Sequence, residues 1–298
     1  MSSKTKHIRR STGSIIGSIV ICLMILFMCL ITLYPFYYII VVSLSSGSAV
    51  MNHRVSFWIV DFTLESYKTI FAEPYLTSSY GNTLLYTLVG TVINLIMTTL
   101  CAYPLAQPNL PFKKGFMRFV IVTMFFSGGM IPSYLVIRDL HLLNTIWAVV
   151  LPGAISTYNM IIMRTFFTGI PRELHEASYL DGAGELQTLI RVVLPLSMPI
   201  MATMTLFYAV GHWNSYLNAL IYLDDRSKFP LQVFLRNVVI DSQMSTLISN
   251  LGSANDFASI ETTIKYAIIV VATLPIMLVY PFLQKFFVKG VMIGSLKG

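Results

Sequence analysis

The sequence predicts an all-α membrane protein of six transmembrane helices with both termini in the cytoplasm. Three observations carry that reading. The chain is 55% hydrophobic and only 11% charged, where an ordinary soluble domain has about a quarter of its residues charged. Six long stretches hold no charged residue at all. Lysine and arginine gather in the segments that this topology puts inside the cell.

The same composition excludes a disordered chain, a disulfide-rich secreted domain and a soluble nucleic-acid binder. The net charge of +7 comes from 20 Lys and Arg against 13 Asp and Glu. Basic residues flanking membrane segments account for it without nucleic acid.

A charge at bilayer depth costs about 2.5–3.5 kcal/mol on insertion scales, so charge-free runs mark candidate spans. They extend from Ser11 to Asn52, Pro74 to Phe112, Phe119 to Ile137, Leu142 to Met163, Val192 to Leu223 and Tyr266 to Gln284. Each can hold the ~20 helical residues that cross the hydrocarbon core. The spans are expected over 15–42, 82–106, 117–137, 143–167, 199–222 and 264–286, in a single membrane domain covering 1–298. The runs are continuous rather than alternating, which argues against a barrel. The apolar part of the first run, Ile15 to Val42, is about twice the length of a signal-peptide core and has no small-x-small end, so it is expected to remain as a first helix.

With the N-terminus inside, most of the 20 basic residues are inside too, including Lys4, Lys6, Arg9, Arg10, Lys113, Lys114, Arg118, Arg164, Arg172 and Arg191. Biosynthetic insertion selects that bias. Outer loops are then expected over 43–80 and 224–262, and one long inner loop over 168–198. Long loops are uncommon unless they serve a function. The cysteines Cys22, Cys29 and Cys101 lie in apolar stretches without metal-site spacing and are read as buried thiols.

The inner loop has the most structured sequence. Pro171 suits a first helical position and Glu173 the first turn, where a carboxylate meets the positive end of the helix dipole. A short helix is expected from Pro171 to about Leu180. Gly182-Ala183-Gly184 permits a sharp bend. A second helix follows, with Leu186, Leu189, Ile190, Val193 and Leu194 on one apolar face and Glu185, Gln187, Thr188 and Arg191 opposite. Pro195 and Pro199 lead into the fifth span. This helix–bend–helix suits a lever gripped by a cytosolic partner; an amphipathic loop resting on lipid headgroups is the alternative left open by the residues alone.

Glu176-Ala177-Ser178, then Gly182, then Val192 and Leu194-Pro195 resemble the EAA motif of permease subunits of ATP-binding cassette (ABC) importers. The family pattern is Glu-Ala-Ala, three residues, Gly, nine residues, Ile, one residue, Leu-Pro. The spacing matches throughout, with Ser178 in place of the second Ala and Val192 in place of Ile. Ile170-Pro171, Glu173-Leu174 and Asp181-Gly182-Ala183 are similar to the carbohydrate-uptake branch. Trp213-Asn214, the run from Asn218 to Asp225, Phe229-Pro-Leu-Gln and the tail from Phe287 to Gly298 look like a subgroup that imports oligosaccharides, including fragments of acidic plant or algal polysaccharides.

The resemblance implies a type I ABC importer permease in a bacterial plasma membrane. In that family the short inner helix docks in a cleft of a cytoplasmic ATPase, and an extracellular binding lipoprotein delivers the sugar. The implied partners are a second homologous permease, two ATPase copies, the binding lipoprotein, an oligosaccharide and the bilayer, with no nucleic acid. The implied coupling residues are Glu173, Glu176, Ala177, Ser178, Asp181, Gly182, Ala183, Leu194 and Pro195, with Glu176 pairing with a basic group on the ATPase and Arg172 and His175 at the rim. No Gly-Lys-Ser or Gly-Lys-Thr step is present, so no phosphate-cradling loop is expected. ATP and Mg are assigned to the partner ATPase, and the chain is expected to bind no cofactor or metal and to be no enzyme.

Sugars are held by aromatic faces and hydrogen-bonding side chains, and polar residues within spans usually face the bundle interior. Candidates for the substrate path are Asn94, Tyr158, Asn159, His212, Trp213, Asn214, Tyr216 and Asn218, with Asn82 also on the second span. On a continuous fifth helix Trp213 and Tyr216 share a face, as do Asn214 and Asn218. Hydrogen bonding between helices is the competing role for each. An intramembrane enzyme lacks support: no expected span contains Asp or Glu, and His212 is the one His well inside a span. The same lack of acids argues against a proton- or cation-coupled carrier, and a lone channel would leave the long inner loop without a task.

Overall fold

The computed structural model describes residues 12–239, 262–278 and 281. Among these, regular structure is helical throughout. The chain divides into two compact units, one of residues 1–70 and 248–270, the other of 71–247 and 271–298.

The first unit contains α1 (Thr12–Ser43), α2 (Gly47–Met51) and most of α3 (Glu65–Ala72). The most apolar stretch of α1, within Ile16–Ser43, is covered by none of the described residues. A helix that is apolar all round can be stable with such a surface only in lipid or against another protein. Cys22 and Cys29 lie on this open surface and Cys101 is partly covered, so the expectation of three buried thiols is corrected. For Cys22 and Cys29 the reason is that, among the described residues, α1 packs at one end only. There Val41, Val42, Ala49 and Val55 form a small core with Tyr38 and Tyr266 packed against it. Ser43 Oγ and Tyr67 Oη lie 2.8 Å apart, and Ser66 Oγ donates to Thr263 Oγ1 at 2.7 Å.

The second unit is built on α4 (Pro74–Ala106). Pro74 opens it, where the missing N–H costs nothing. The helix therefore begins inside the segment expected to be outer loop 43–80, eight residues before the expected span at 82. It is followed by α5 (Lys113–Phe125), α6 (Met130–Asp139), α7 (Ile146–Val150), α8 (Thr157–Thr168), α9 (Arg172–Leu180), α10 (Glu185–Leu196), α11 (Met198–Trp213), α12 (Leu217–Tyr222) and α13 (Leu231–Val239). The last described helix, α14, is Thr262–Leu278, so the rest of the expected span 264–286 lies mostly outside the described residues.

Several expected spans are broken helices. The stretch expected as one span over 117–137 turns by 111° between α5 and α6, across Gly128 and Gly129, the latter at φ +86°. The stretch 143–167 bends by 53° between Ile146–Gly153 and Thr157–Thr168. The fifth span, expected over 199–222, stops at Trp213 and resumes at Leu217.

The main core lies where α4, α8, α10 and α11 meet. Ala102, Tyr103, Met160, Met163, Val193 and Met204 are among its buried residues. Methionine fills such irregular space well because its chain is unbranched and its sulfur polarizable. Nearer the other end of α4, Tyr86, Val149, Ala219, Leu223 and Val233 form a second cluster.

One glycine sets how closely α4 is approached. A β-carbon on Gly90 would stand 2.6 Å from Val150 Cγ1 and nearer still to the His212 ring. Gly90→Ala is therefore expected to destabilise the fold by about 1–3 kcal/mol, the range for overpacking a filled site. Thermal unfolding of the purified chain in detergent checks this; an unchanged midpoint would contradict the tight approach.

Candidate functional site

The C-terminal end of α4 needs help, because the last carbonyls of any helix have no partner within it. Cations from neighbouring elements supply it. Arg164 Nε of α8 donates to the Leu105 carbonyl at 2.8 Å, and Lys113 Nζ donates to the carbonyls of Ala106 and Gln107 at 3.1 and 2.7 Å. Positive charge at that end also complements the helix dipole. The platform carrying the inner loop is thus fixed before the loop begins.

α9 starts after Pro171, with Glu173 in its first turn, close to the expected boundary. It ends in a Schellman turn: Gly182 N–H donates to the Tyr179 carbonyl and Ala183 N–H to the Ser178 carbonyl, both at 3.0 Å. Gly182 takes φ +78°, a left-handed conformation that glycine adopts without a β-carbon penalty. Asp181 sits at the C-cap, its N–H donating to the Ala177 carbonyl at 3.0 Å.

Two side-chain contacts then close the hairpin. Ser178, 8% exposed, has its hydroxyl 2.8 Å from that of Thr188, which is wholly buried. Glu185 is gripped by two phenols: Tyr103 Oη of α4 donates to its Oε2 and Tyr179 Oη of α9 to its Oε1, each at 2.9 Å. Burial, and after it the neighbouring Glu185 carboxylate, hold the Tyr179 phenol above its ordinary pKa, so it stays protonated as a donor across the physiological range. His175 stacks on Tyr103, with ring centroids 6.3 Å apart and planes 19° apart. Tyr103, His175, Glu176, Tyr179 and Glu185 all line one cavity of about 600 Å³, with Pro104 and Phe167 among its apolar walls.

The expected apolar face of the second limb needs correction. Leu189 and Val193 are buried, but Leu186 and Ile190 are 61% and 55% exposed. The Ser178–Thr188 bond turns the helix so that Thr188, expected on the polar face, points inward in their place. Beyond it, Leu189–Val193 forms a π-turn leading to Pro195, and α10 meets α11 at 85°. Prolines at 195 and 199 each remove a backbone donor around this elbow, which permits the break.

Of the expected coupling residues, Glu173, Glu176, Ala177 and Asp181 stand exposed on α9 and its cap, and Ala183 is partly covered. Ser178 and Gly182 shape the turn. Leu194 packs against the main core, while Pro195 is exposed. Sequence reasoning missed the Tyr103–Glu185–Tyr179 contact. Two signals could have found it: Glu185 is the only acid between Asp181 and Asp224, and a tyrosine inside a span needs a partner for its hydroxyl.

Residues 98–293 match the family described as "Binding-protein-dependent transport system inner membrane component". The chain belongs to this family of ABC importer permeases. Protein LplC of Bacillus subtilis (strain 168) is 45% identical over 268 residues, 90% of each chain. The polygalacturonan/rhamnogalacturonan transport system permease protein YtcP of the same organism is 42% identical, over 92% of this chain and 96% of its own. A chain of a bacterial ABC transporter involved in the import of the acidic polysaccharide alginate, solved by crystallography, superposes with a TM-score of 0.86 at 35% identity, covering 94% of this chain and 99% of that one.

In the permease the expected path residues fall into separate settings. Asn94, 1% exposed, donates through its amide to the carbonyls of Gly153 and Ala154 at 2.6 and 3.0 Å, and its Oδ1 lies 2.5 Å from His212 Nε2. Both carbonyls belong to the break between α7 and α8. Asn82 donates to the carbonyls of Ser227 and Phe229. Asn159 is buried at the start of α8, beside exposed Tyr158. Trp213 is buried, with Nε1 3.4 Å from the Ala272 carbonyl, whereas Tyr216 is 43% exposed. Asn214 donates back to the Val210 carbonyl at 3.0 Å, and Asn218 is half-buried on α12. Because the helix is interrupted at 214–216, the shared faces expected for Trp213 with Tyr216 and Asn214 with Asn218 do not exist.

Gly182 and Gly184 give a matched test of the turn, since only Gly182 has positive φ. Gly182→Ala is expected to cost about 1 kcal/mol and Gly184→Ala to be near neutral. Hydrogen exchange of the amides in 176–190 reads the difference; equal protection in the two variants would contradict it.

Proposed function

We propose that this permease carries an acidic oligosaccharide across a bacterial plasma membrane, with both of its termini in the cytoplasm. An extracellular binding lipoprotein delivers the sugar, and a second homologous permease completes the path. Two copies of a cytoplasmic ATPase hold ATP and Mg and dock on the loop 168–198.

The observation that carries this reading is the surface of α9. Glu173, Glu176 and Ala177 are exposed on a short helix whose C-terminal turn is fixed by two backbone hydrogen bonds and whose second limb is rooted in the core. Leu180 is 89% exposed at its tip. A rim ion pair from Glu176 contributes only about 0–1 kcal/mol, so force passes through packing of the whole helix, and small Ala177 permits close approach. An amphipathic loop lying on headgroups fits less well: it would not need a turn fixed in this way, and it would present acidic Glu173, Glu176 and Asp181 to lipid.

The acidic-sugar reading draws on relatives named for polygalacturonan/rhamnogalacturonan and alginate transport. Asn94 and His212, with Trp213 beside them, are assigned to holding the broken helices that border the path, and Tyr158 and Tyr216 are the exposed aromatics available to a sugar.

Glu176→Lys is expected to abolish ATP-dependent uptake and co-purification of the ATPase while the permease still reaches the membrane. Uptake of labelled oligogalacturonate by vesicles, together with pull-down of the ATPase, checks both. Normal uptake by that variant would remove Glu176 from the contact.

A further inference from the structure

We propose that the Glu185 carboxylate, gripped by Tyr103 and Tyr179, is the joint that transmits movement of the docking helix to α4; Glu185, Tyr103 and Tyr179 are therefore positioning residues for transport. The inference rests on the docking assignment for α9 and adds the route by which its movement enters the membrane.

Three elements meet at this one side chain. Tyr179 is in the penultimate position of α9, Glu185 opens α10, and Tyr103 lies in the last turn of α4. Each carboxylate oxygen accepts one phenol, both at 2.9 Å. α9 therefore reaches α4 through a two-bond bridge as well as through the chain.

The bridge is placed to move α4 rather than only to brace the hairpin. The Schellman turn and the Ser178–Thr188 bond already hold α9 against α10 without it. Tyr103 sits next to Pro104, whose missing N–H weakens the helix ladder there, and the carbonyls beyond it are held by Arg164 and Lys113. Farther along α4, Asn94 and Thr98 bond to groups on the broken spans: Asn94 to Gly153, Ala154 and His212, and Thr98 to Tyr208 Oη at 2.7 Å. A displacement of Tyr103 is thereby passed along one helix to the breaks bordering the path. The cavity beside Tyr103 and Glu185 gives the phenol ring room to shift.

The test uses the assembled transporter in proteoliposomes with its binding protein, ATPase and sugar. Tyr103→Phe removes one hydroxyl and keeps the ring; Glu185→Ala removes the acceptor; Tyr179→Phe probes the exposed side if either of the others fails to fold. The expected result is normal ATPase co-purification but at least a tenfold rise in ATP hydrolysed per sugar transported. Combining Tyr103→Phe with Glu185→Ala is expected to add nothing to the loss from Glu185→Ala alone, because both cut the same bridge. An unchanged ratio of hydrolysis to transport in the single variants, or losses that multiply in the double variant, would overturn the proposal. Failure of the wild-type chain to bind the ATPase would instead overturn the docking assignment.

Discussion

A single carboxylate at the C-terminal end of α4 fixes how the hairpin meets the bundle. Glu185 is half of two hydrogen bonds that join α9 and α4 to the start of α10. Around it the helix ends are tied: the Schellman turn uses the carbonyls of Ser178 and Tyr179, and Arg164 and Lys113 use those of Leu105, Ala106 and Gln107. The hairpin is therefore an ordered extension of the membrane domain, although most of its surface is open to water. Its order comes from satisfied polar groups more than from buried apolar area, as the exposure of Leu186 and Ile190 makes plain.

The same logic runs through the second unit. A break in a membrane helix exposes carbonyls that lipid cannot satisfy. Side chains of α4 bond to such a break and to the connection between α12 and α13 at successive heights. Asn82 and Tyr86 bond to carbonyls of Ser227, Phe229 and Lys228, Thr83 accepts from Leu231 N–H, and Asn94 serves the break at Gly153 and Ala154. The polar residues of this apolar helix are the reason its neighbours can be irregular. Gly90 completes the arrangement by allowing His212 to come close enough to reach Asn94.

Much of this was legible in the residues. Low charge and charge-free runs gave the helical membrane class, and the fixed spacing from Glu176 to Pro195 gave the permease family. Pro171, Glu173 and Gly182 placed the short helix within a residue of its observed limits. Periodicity failed where tertiary bonds decide the outcome. Thr188 reads as polar face until Ser178 is folded beside it, ten residues away in sequence. Trp213 and Tyr216 share a face only on a continuous helix, and nothing local to Asn214 announces the interruption. Tyr103 and Glu185 are 82 residues apart, a pairing that no window of sequence contains.

The elbow at Ser197 has a geometric consequence of its own. Between Glu185 and Leu196 the arm α10 is about 18 Å long at 1.5 Å per residue, and it stands at 85° to α11. Pivoting by about 10° there carries the far end through ~3 Å, comparable to the reach of one hydrogen bond. A small tilt at the membrane face and a large excursion at the tip are thus the same event measured at two radii. The crank works in either direction, so movement of the hairpin's far end and rotation at the foot of α11 are tied to a common gear ratio.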